Sequence, residues 1–347
     1  MNSRTRPPNS SHAPHRDPGG PNHGSEVRNV SLNTTAASIQ IPADEHVFLV
    51  GRPPLGEYMG FVKTQTVEGQ TADDAALAEQ WRAANARIQQ LEVTEAGAAD
   101  DPPVDELPTS LAVLGPRVLE DPIVRRSFGI TRNEIRMVEL DRLVVFQKQI
   151  NLNYARELEQ ALGDEPTDED LFNFCLPIDR RYDPPTRVAP IAHSPKGPAA
   201  WAMLSPSTDF RVLETVLLDP SQVIGLNSTG APTQIVAVVV GYGSNFVAAT
   251  RVGSRLILRN GSHRVYALRA AGHTHAPVLI QNVAHQEEVE LLLPEIESHR
   301  NLYLTHPRPP LLRDYFDNEL RLLVHVPRNA RQVRVAVNFE ESYSPGI

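Results

Sequence analysis

An α+β fold is predicted for this chain of 347 residues, on three observations. The first half carries a long apolar stripe at helical spacing. The stretch after about residue 200 breaks into short β-branched runs between turn residues. A single short helix is inserted among those runs.

In chain order, residues 1–36 ("MNSRTRPPNSSHAPHRDPGG…") are Pro, Gly, Ser, Asn and His with few apolar side chains. They bury too little surface to offset the entropy of ordering and are expected to form a disordered tail. In "IQIPADEHVFLVGRPPLGEYMGFV" the breakers Gly51, Pro53, Pro54 and Gly56 predict short strands and turns. "TADDAALAEQWRAANARIQQLEV" predicts a helix, with Thr71 and Asp74 imitating a capping box and Ala76, Leu77, Trp81, Ala84, Ile88 and Leu91 on one apolar face. That face is core first and a partner surface second. The acidic "TEAGAADDPPVDELP" reads as a linker. Residues 109–163 read as mostly helical and end at Gly163, although periodicity leaves "MVELDRLVVFQKQI" open between helix and strand. "GDEPTDED" opens another helix, and the proline-rich "DRRYDPPTRVAPIAHSPKGP" reads as a connection with a domain boundary near residue 200.

Beyond it, "RVLETVLLDP", "TQIVAVVV", "NFVAATRV", "RLILR" and "APVLIQ" are predicted strands, and "SHRVYALRAAG" is the inserted helix. "QEEVELLLPEIESHRNLYL" and "PPLLRDYFDNEL" are predicted helices, while "LLVHVP" and "RQVRVAVNF" close the chain as strands. The expected division is therefore a tail (1–36), a mixed, mainly helical region (37–200), and a compact mixed-sheet domain with a helix and strand extension (201–347).

No apolar run reaches the ~18 residues of a membrane span and no secretory layout opens the sequence, so a cytoplasmic protein with no membrane partner is expected. The lone Cys175 excludes an internal disulfide and a multi-cysteine zinc site, and "FNFCLP" places it in an apolar, inert setting. The net charge is −9, but unevenly spread. From Pro220 through Gln286 there is no Asp or Glu, while Arg251, Arg255, Arg259, Arg264 and Arg269 fall in that window. A region clear of carboxylates suits an anionic ligand, because like charge repels within about 8 Å in physiological salt. Exposed arginines on a neutral sheet are the plainer alternative.

Within this window lies "RLILRNGSHRVYALRAAGHTHAPVLI", which spans strand, break, helix and strand. Ser262 is the expected N-cap and Gly272 the stop, with Val265, Leu268 and Ala271 as the buried stripe. His263 and Arg264 then occupy the first turn, where the helix dipole disfavours cations by ~0.3–1 kcal/mol. Placing two donors there suits an anion held between them, with Gly261 allowing close backbone approach.

"NGSHRVYALRAAG" between two strands, with "VLLDPSQV" upstream, resembles the Gly-x-His-Arg or Gly-x-Arg-Arg box of the ParB/sulfiredoxin-like fold, over roughly residues 210–282. The resemblance implies that Gly261, Ser262, His263 and Arg264 bind the phosphates of a nucleotide (ATP, ADP or CTP), with Mg2+ as an accompanying ion. It also marks two departures. Ser262 stands where sulfiredoxins carry their catalytic cysteine, which excludes sulfinic-acid reduction. Ser262 and His263 replace the Glu and first Arg of ParB clamp proteins, which counts against their CTP hydrolysis. A relative that phosphorylates free serine keeps phosphotransfer open, with Glu214 and Asp219 as the nearest upstream carboxylates.

The expected function is thus binding of a nucleotide or phosphorylated small molecule, with phosphotransfer or NTPase activity open. The alternative is a non-catalytic interaction or regulatory module of the same fold, whose N-terminal half docks a protein partner or another copy. Weak, non-specific nucleic-acid binding ranks third, because no helix-turn-helix follows the box and no sequence-specific DNA contact is expected. Gly241 and Gly243 in "VVVGYGSNF" fit a hairpin turn better than a dinucleotide fingerprint, and His273 and His275 are exposed turn residues with no third metal ligand.

Overall fold

A computed structural model describes residues 42–129, 132–178, 186–194, 197–207, 209–243 and 245–343. The expected N-terminal tail lies outside the described residues. Among those described, the order is β1 (Ala43–Leu49), α1 (Leu55–Gln65), α2 (Asp74–Thr94), β2 (Val104–Asp105), α3 (Leu114–Glu120), α4 (Pro122–Phe128), β3 (Arg132–Glu139), β4 (Gln149–Asn151), α5 (Leu152–Leu162) and α6 (Asp168–Cys175). Then come β5 (Arg187–Ser194), β6 (Gly197–Ser205), β7 (Phe210–Leu218), β8 (Ile235–Tyr242), β9 (Ala248–Val252), β10 (Arg255–Asn260), α7 (Ser262–Ala270) and β11 (His275–Asn282). α8 (Gln286–Leu292), α9 (Arg300–Leu304), β12 (Arg321–Pro327) and β13 (Arg331–Ala336) end the series. The fold is α+β, as predicted.

The central sheet runs β10-β9-β11-β3-β2. β9, β10 and β11 are largely apolar and buried over most of their length on both faces, as strands covered on two sides must be. Successive residues of β10 therefore serve different cores. Leu256 and Leu258 join the principal core with Val265 and Leu268 of α7, while Ile257 faces Val144, Val289 and Tyr303 on the other side. β11 pairs antiparallel with β3 from His275↔Glu139 to Asn282↔Arg132 and parallel with β9. A second sheet, β12-β1-β4, carries Phe48 and Val50 against α1 and α2. There Phe48 stacks on Phe61 at 4.4 Å. The remaining strands form the sheet β13-β6-β5 and the two-stranded ribbon β7-β8.

Several expectations are corrected here. Residues 109–163 hold α3, α4 and α5 as expected, but "RNEIRMVE" among them is β3, a strand of the central sheet. Its Glu and Arg suit helices, but Ile135 and Val138 are buried where β11 and β2 pair with the strand, and that tertiary context decides. Pro53 and Pro54 do not open a turn-rich region; they lead into α1, where a missing N–H costs nothing. The proline-rich connection contains β5, which holds Pro190 because it is the edge strand of its sheet. "PPLLRDYFDNEL" forms only a short 3-10 turn, Leu312–Phe316. Ile41–Ile347 is one compact unit, so residue 200 falls inside β6 and the central sheet draws strands from both sides of it.

Other expectations hold. α2 forms with Leu77, Ala84, Ile88 and Leu91 buried as expected, although its cap is Asp73, whose side chain accepts from Ala76 N, and not the Thr71/Asp74 pair. Trp81 is half-buried and donates its indole N–H to Pro53 O at 2.8 Å, so the stripe is core and is not free to dock a partner. α6 carries a full Thr167/Asp170 capping box. Among the described residues no helix is long and apolar enough to cross a membrane.

Candidate functional site

The box sits where β10 hands the chain to α7. Gly261, not Ser262, is the N-cap, at φ +91, a left-handed conformation that L side chains avoid. A Cβ there would lie 2.9 Å from Val247 Cγ2 and 3.1 Å from Val247 Cα. Glycine is thus required by close packing on the strand-end residue Val247, which is fully buried in the principal core. Ser262 becomes the first helical residue and is buried. α7 ends at Ala270, and Ala271 is exposed rather than part of the buried face; Ala267 takes that place.

His263 and Arg264 turn inward onto backbone. The imidazole Nε2 of His263 accepts from Asn151 N at 3.0 Å, and its ring packs edge-on against Tyr154, 5.3 Å between centroids. Burial, with the His46 and Arg264 charges nearby, pushes the His263 imidazole down to about 4. It is therefore a neutral acceptor at pH 7, not a cationic donor. Arg264 is 6% exposed. Its Nη1 donates to Phe174 O at 3.1 Å, Cys175 O at 3.0 Å and Asn245 O at 2.8 Å, tying the end of α6 to the segment before β9. Cys175 is fully buried and its thiol is raised to about 12, chiefly by that burial. A thiol held protonated in the core has no nucleophilic role.

The expected electrostatics also change in three dimensions. Arg255 reaches Asp100 at 2.7 Å, Arg269 reaches Asp141 at 2.6 Å, and Arg251 faces Glu134 at 3.9 Å. Arg259 donates to Gln281 Oε1 at 3.0 Å. Free of carboxylates in sequence, the window is thus supplied with them, or with other acceptors, by residues outside it. Glu214 and Asp219 serve elsewhere: Glu214 lies 3.9 Å from Arg126, and Asp219 caps the turn that follows β7.

A cavity of about 120 Å³ opens between α5, α6 and the segment before β9, with Tyr154, Asp170, Phe174, Asn245 and Arg264 in its wall. It meets the box through Arg264 alone; Gly261, Ser262 and His263 do not line it. Asp170 and Asp209, which sequence spacing did not connect to the box, are the carboxylates that matter here. Asp170 lines the cavity, and its Oδ2 is taken by Thr167. Burial raises the Asp209 carboxyl, against the opposing pull of Arg211, Gly243 N–H, Arg331 and Arg264. Among the described residues no three His, Cys, Asp or Glu converge as metal ligands. With Asp170 as the one carboxylate in the wall, already bonded to Thr167, the side chains fit a bound magnesium poorly.

Gly241 and Gly243 close no hairpin with the next strand, since β8 pairs with β7 and β9 belongs to the central sheet. Gly243 instead makes room for the Arg211 side chain. In comparisons with known proteins, no protein-family model, curated protein or solved structure matches the chain.

Proposed function

We propose that this protein binds a small phosphorylated ligand, a nucleotide on the resemblance of its Gly-Ser-His-Arg box, at the cavity beside Arg264. One observation carries this: a cavity of about 120 Å³ has the arginine of the box in its wall, together with Asn245 and Tyr154. The volume suits a phosphoryl group or a ring, not a whole nucleotide, so the rest of such a ligand would extend over the surface from this anchor. Asn245 would supply amide contacts and Tyr154 a stacking face.

The test is a thermal-shift and calorimetric panel of nucleotides, with and without magnesium. A one-site ligand at about 100 times its dissociation constant stabilises the fold by ~2.7 kcal/mol. Arg264 variants are unsuitable alone, because losing three carbonyl contacts weakens the fold itself. Asn245→Asp keeps size and backbone while placing a carboxylate in the wall; it should abolish the shift. No shift with any common nucleotide, or an equal shift in Asn245→Asp, removes the proposal.

The non-catalytic alternative has its own observation. Nη1 of Arg264 and Nε2 of His263 are both committed to backbone groups, which is what a folding element needs and a phosphate clamp does not. Under this alternative neither the wild-type protein nor Arg264→Lys shows a nucleotide shift, and Arg264→Lys loses stability alone.

A further inference from the structure

We propose that the β7-β8 ribbon is a self-association surface, two copies packing ribbon against ribbon about a two-fold axis. The pairing register sorts the ribbon's side chains, because directly opposed residues of an antiparallel pair share a face. Arg211↔Gly241 and Glu214↔Val239 put both charged side chains of the ribbon on one face. Val212↔Val240, Thr215↔Val238 and Leu217↔Val236 make up the other. The irregularity between Val212 and Glu214 is what keeps this sorting, since without it Glu214 would change sides. On the uncharged face Leu217 is 69% and Val236 68% exposed, with Val212 and Val238 also open to solvent. Its base is covered: Phe210 is buried, the Tyr242 hydroxyl lies 3.0 Å from Ser205 Oγ, and Val240 beside them is half-buried.

Charge decides the occupant. From Pro220 through Thr250 the sequence has no Asp, Glu, Lys or Arg, within a chain of net charge −9. A charged partner would find nothing to pair with on this face, and a partner matching it must itself present an uncharged β-branched strip. This chain carries such a strip, and a second copy brings it in the self-complementary orientation that a two-fold interface requires. Homodimer interfaces are also the ones most depleted of charge at their centres.

The size of the strip sets the strength. Eight residues of strand span ~27 Å and two strands ~10 Å, so stacking hides on the order of 500 Å² over both copies. That is below the ~1,200–2,000 Å² of tight complexes, so the dimer should be reversible and concentration-dependent.

Sedimentation velocity across the micromolar range tests this. The wild-type chain should shift from monomer towards dimer with concentration, and Val236→Lys should weaken the association by at least about tenfold. Mixing Val236→Lys with Val236→Glu should restore a dimer that neither forms alone, which an unfolded variant could not do. Cysteine scanning adds geometry, because Cys175 is fully buried and silent. Val236→Cys and Val238→Cys should cross-link between copies, whereas Ala237→Cys and Val239→Cys on the charged face should not. A wild-type chain that stays monomeric throughout, or cross-linking without this alternation, overturns the proposal.

Discussion

The backbone N–H of Asn151 donates to Nε2 of His263 at 3.0 Å, a bond that joins the end of β4 to the first turn of α7 and requires the imidazole to be neutral. An imidazolium has no lone pair at Nε2 to accept with. The box histidine thus works as a fold contact between the two halves of the sequence.

A pH dependence follows from it. The His263 pKa falls from 6.5 unfolded to about 4 in the fold, so the unfolded chain takes up the proton first. Stability from this group is complete above pH 6.5 and is lost as pH falls towards 4, by about 3 kcal/mol in total. His46, also lowered mainly by burial, adds to the fall in the same sense. Urea titrations from pH 7.5 to 4.5 should show the decline, and His263→Gln should flatten it. An unchanged slope in that variant would show that His263 titrates normally.

Gly261→Ala is expected to destabilise the fold strongly. The left-handed backbone alone costs an alanine about 1–2 kcal/mol, and the contact with the Val247 main chain at 3.1 Å cannot relax by a rotamer change. Gly272→Ala, also left-handed at φ +93 but with open space around its Cβ position, should cost only the backbone part. The difference between the two denaturation midpoints measures the packing part.

What the sequence disclosed follows from where the physics is local. β9 to β11 and α7 were legible because runs such as "RLILR" and "APVLIQ" are buried on both faces, β7 and β8 because their β-branched runs lie between turn residues, and α2 because its stripe repeats at helical spacing. β3 was not, because its Glu and Arg residues suit a helix and only the pairing with β11 makes it a strand. At the site, Gly261 to Arg264 could be picked out as a box, but the direction in which His263 and Arg264 point is set by Asn151, Phe174, Cys175 and Asn245, far away in sequence. The absence of carboxylates from residues 220–286 was real as sequence and misleading as electrostatics, since Asp100, Glu134 and Asp141 come in from other elements. The clue lay in Arg255 and Arg264, set among the apolar residues of β10 and α7 and buried with them, because a buried guanidinium always has acceptors.

Asp314→Ala should be among the most damaging single changes. Arg308 is 1% exposed and holds Asp314 through Nη1 at 3.0 Å and Nη2 at 2.5 Å, with Glu95 on Nε at 2.8 Å. Removing one carboxylate leaves part of a buried charge uncompensated, for about 3–5 kcal/mol. Replacing the pair together, Arg308→Met with Asp314→Leu, should cost less than Asp314→Ala alone. If the double variant is the weaker of the two in urea, the pair contributes more than mutual compensation.

Asp209→Asn should stabilise the protein at neutral pH. Burial raises the Asp209 carboxyl above its ordinary value of 3.8, so the folded chain binds that proton more readily than the unfolded one. The sign is therefore opposite to His263: this group's contribution declines as pH rises through the acidic range and stays unfavourable at pH 7. The amide can still accept from Gly243 N–H without carrying charge. Its advantage over wild type should be present at pH 7 and shrink as pH is lowered; an advantage independent of pH would assign the effect to packing.

Any DNA affinity should be weak, steeply lost with salt and indifferent to sequence. Each phosphate neutralised contributes about −0.9 to the slope of log affinity against log salt, so the count of available cations sets the outcome. Arg251, Arg255 and Arg269 already face carboxylates, Arg259 donates to Gln281, and Arg264 is turned onto three carbonyls. Recruiting them for phosphates would first break those contacts. The chain's net charge of −9 repels a duplex at long range, and screening at physiological salt reduces that repulsion without reversing it. Base readout needs several polar side chains presented to a groove from one helix or ribbon. α7 cannot provide them, since Ser262, Arg264, Val265, Tyr266, Ala267 and Leu268 are buried, and the open face of the β7-β8 ribbon is apolar. Anisotropy titrations of two unrelated duplexes at physiological salt should therefore give equal, weak binding that disappears as salt is doubled. Nanomolar preference for one duplex would mean that a reading element lies elsewhere on the chain, and it would remove the ribbon and α7 from consideration as that element.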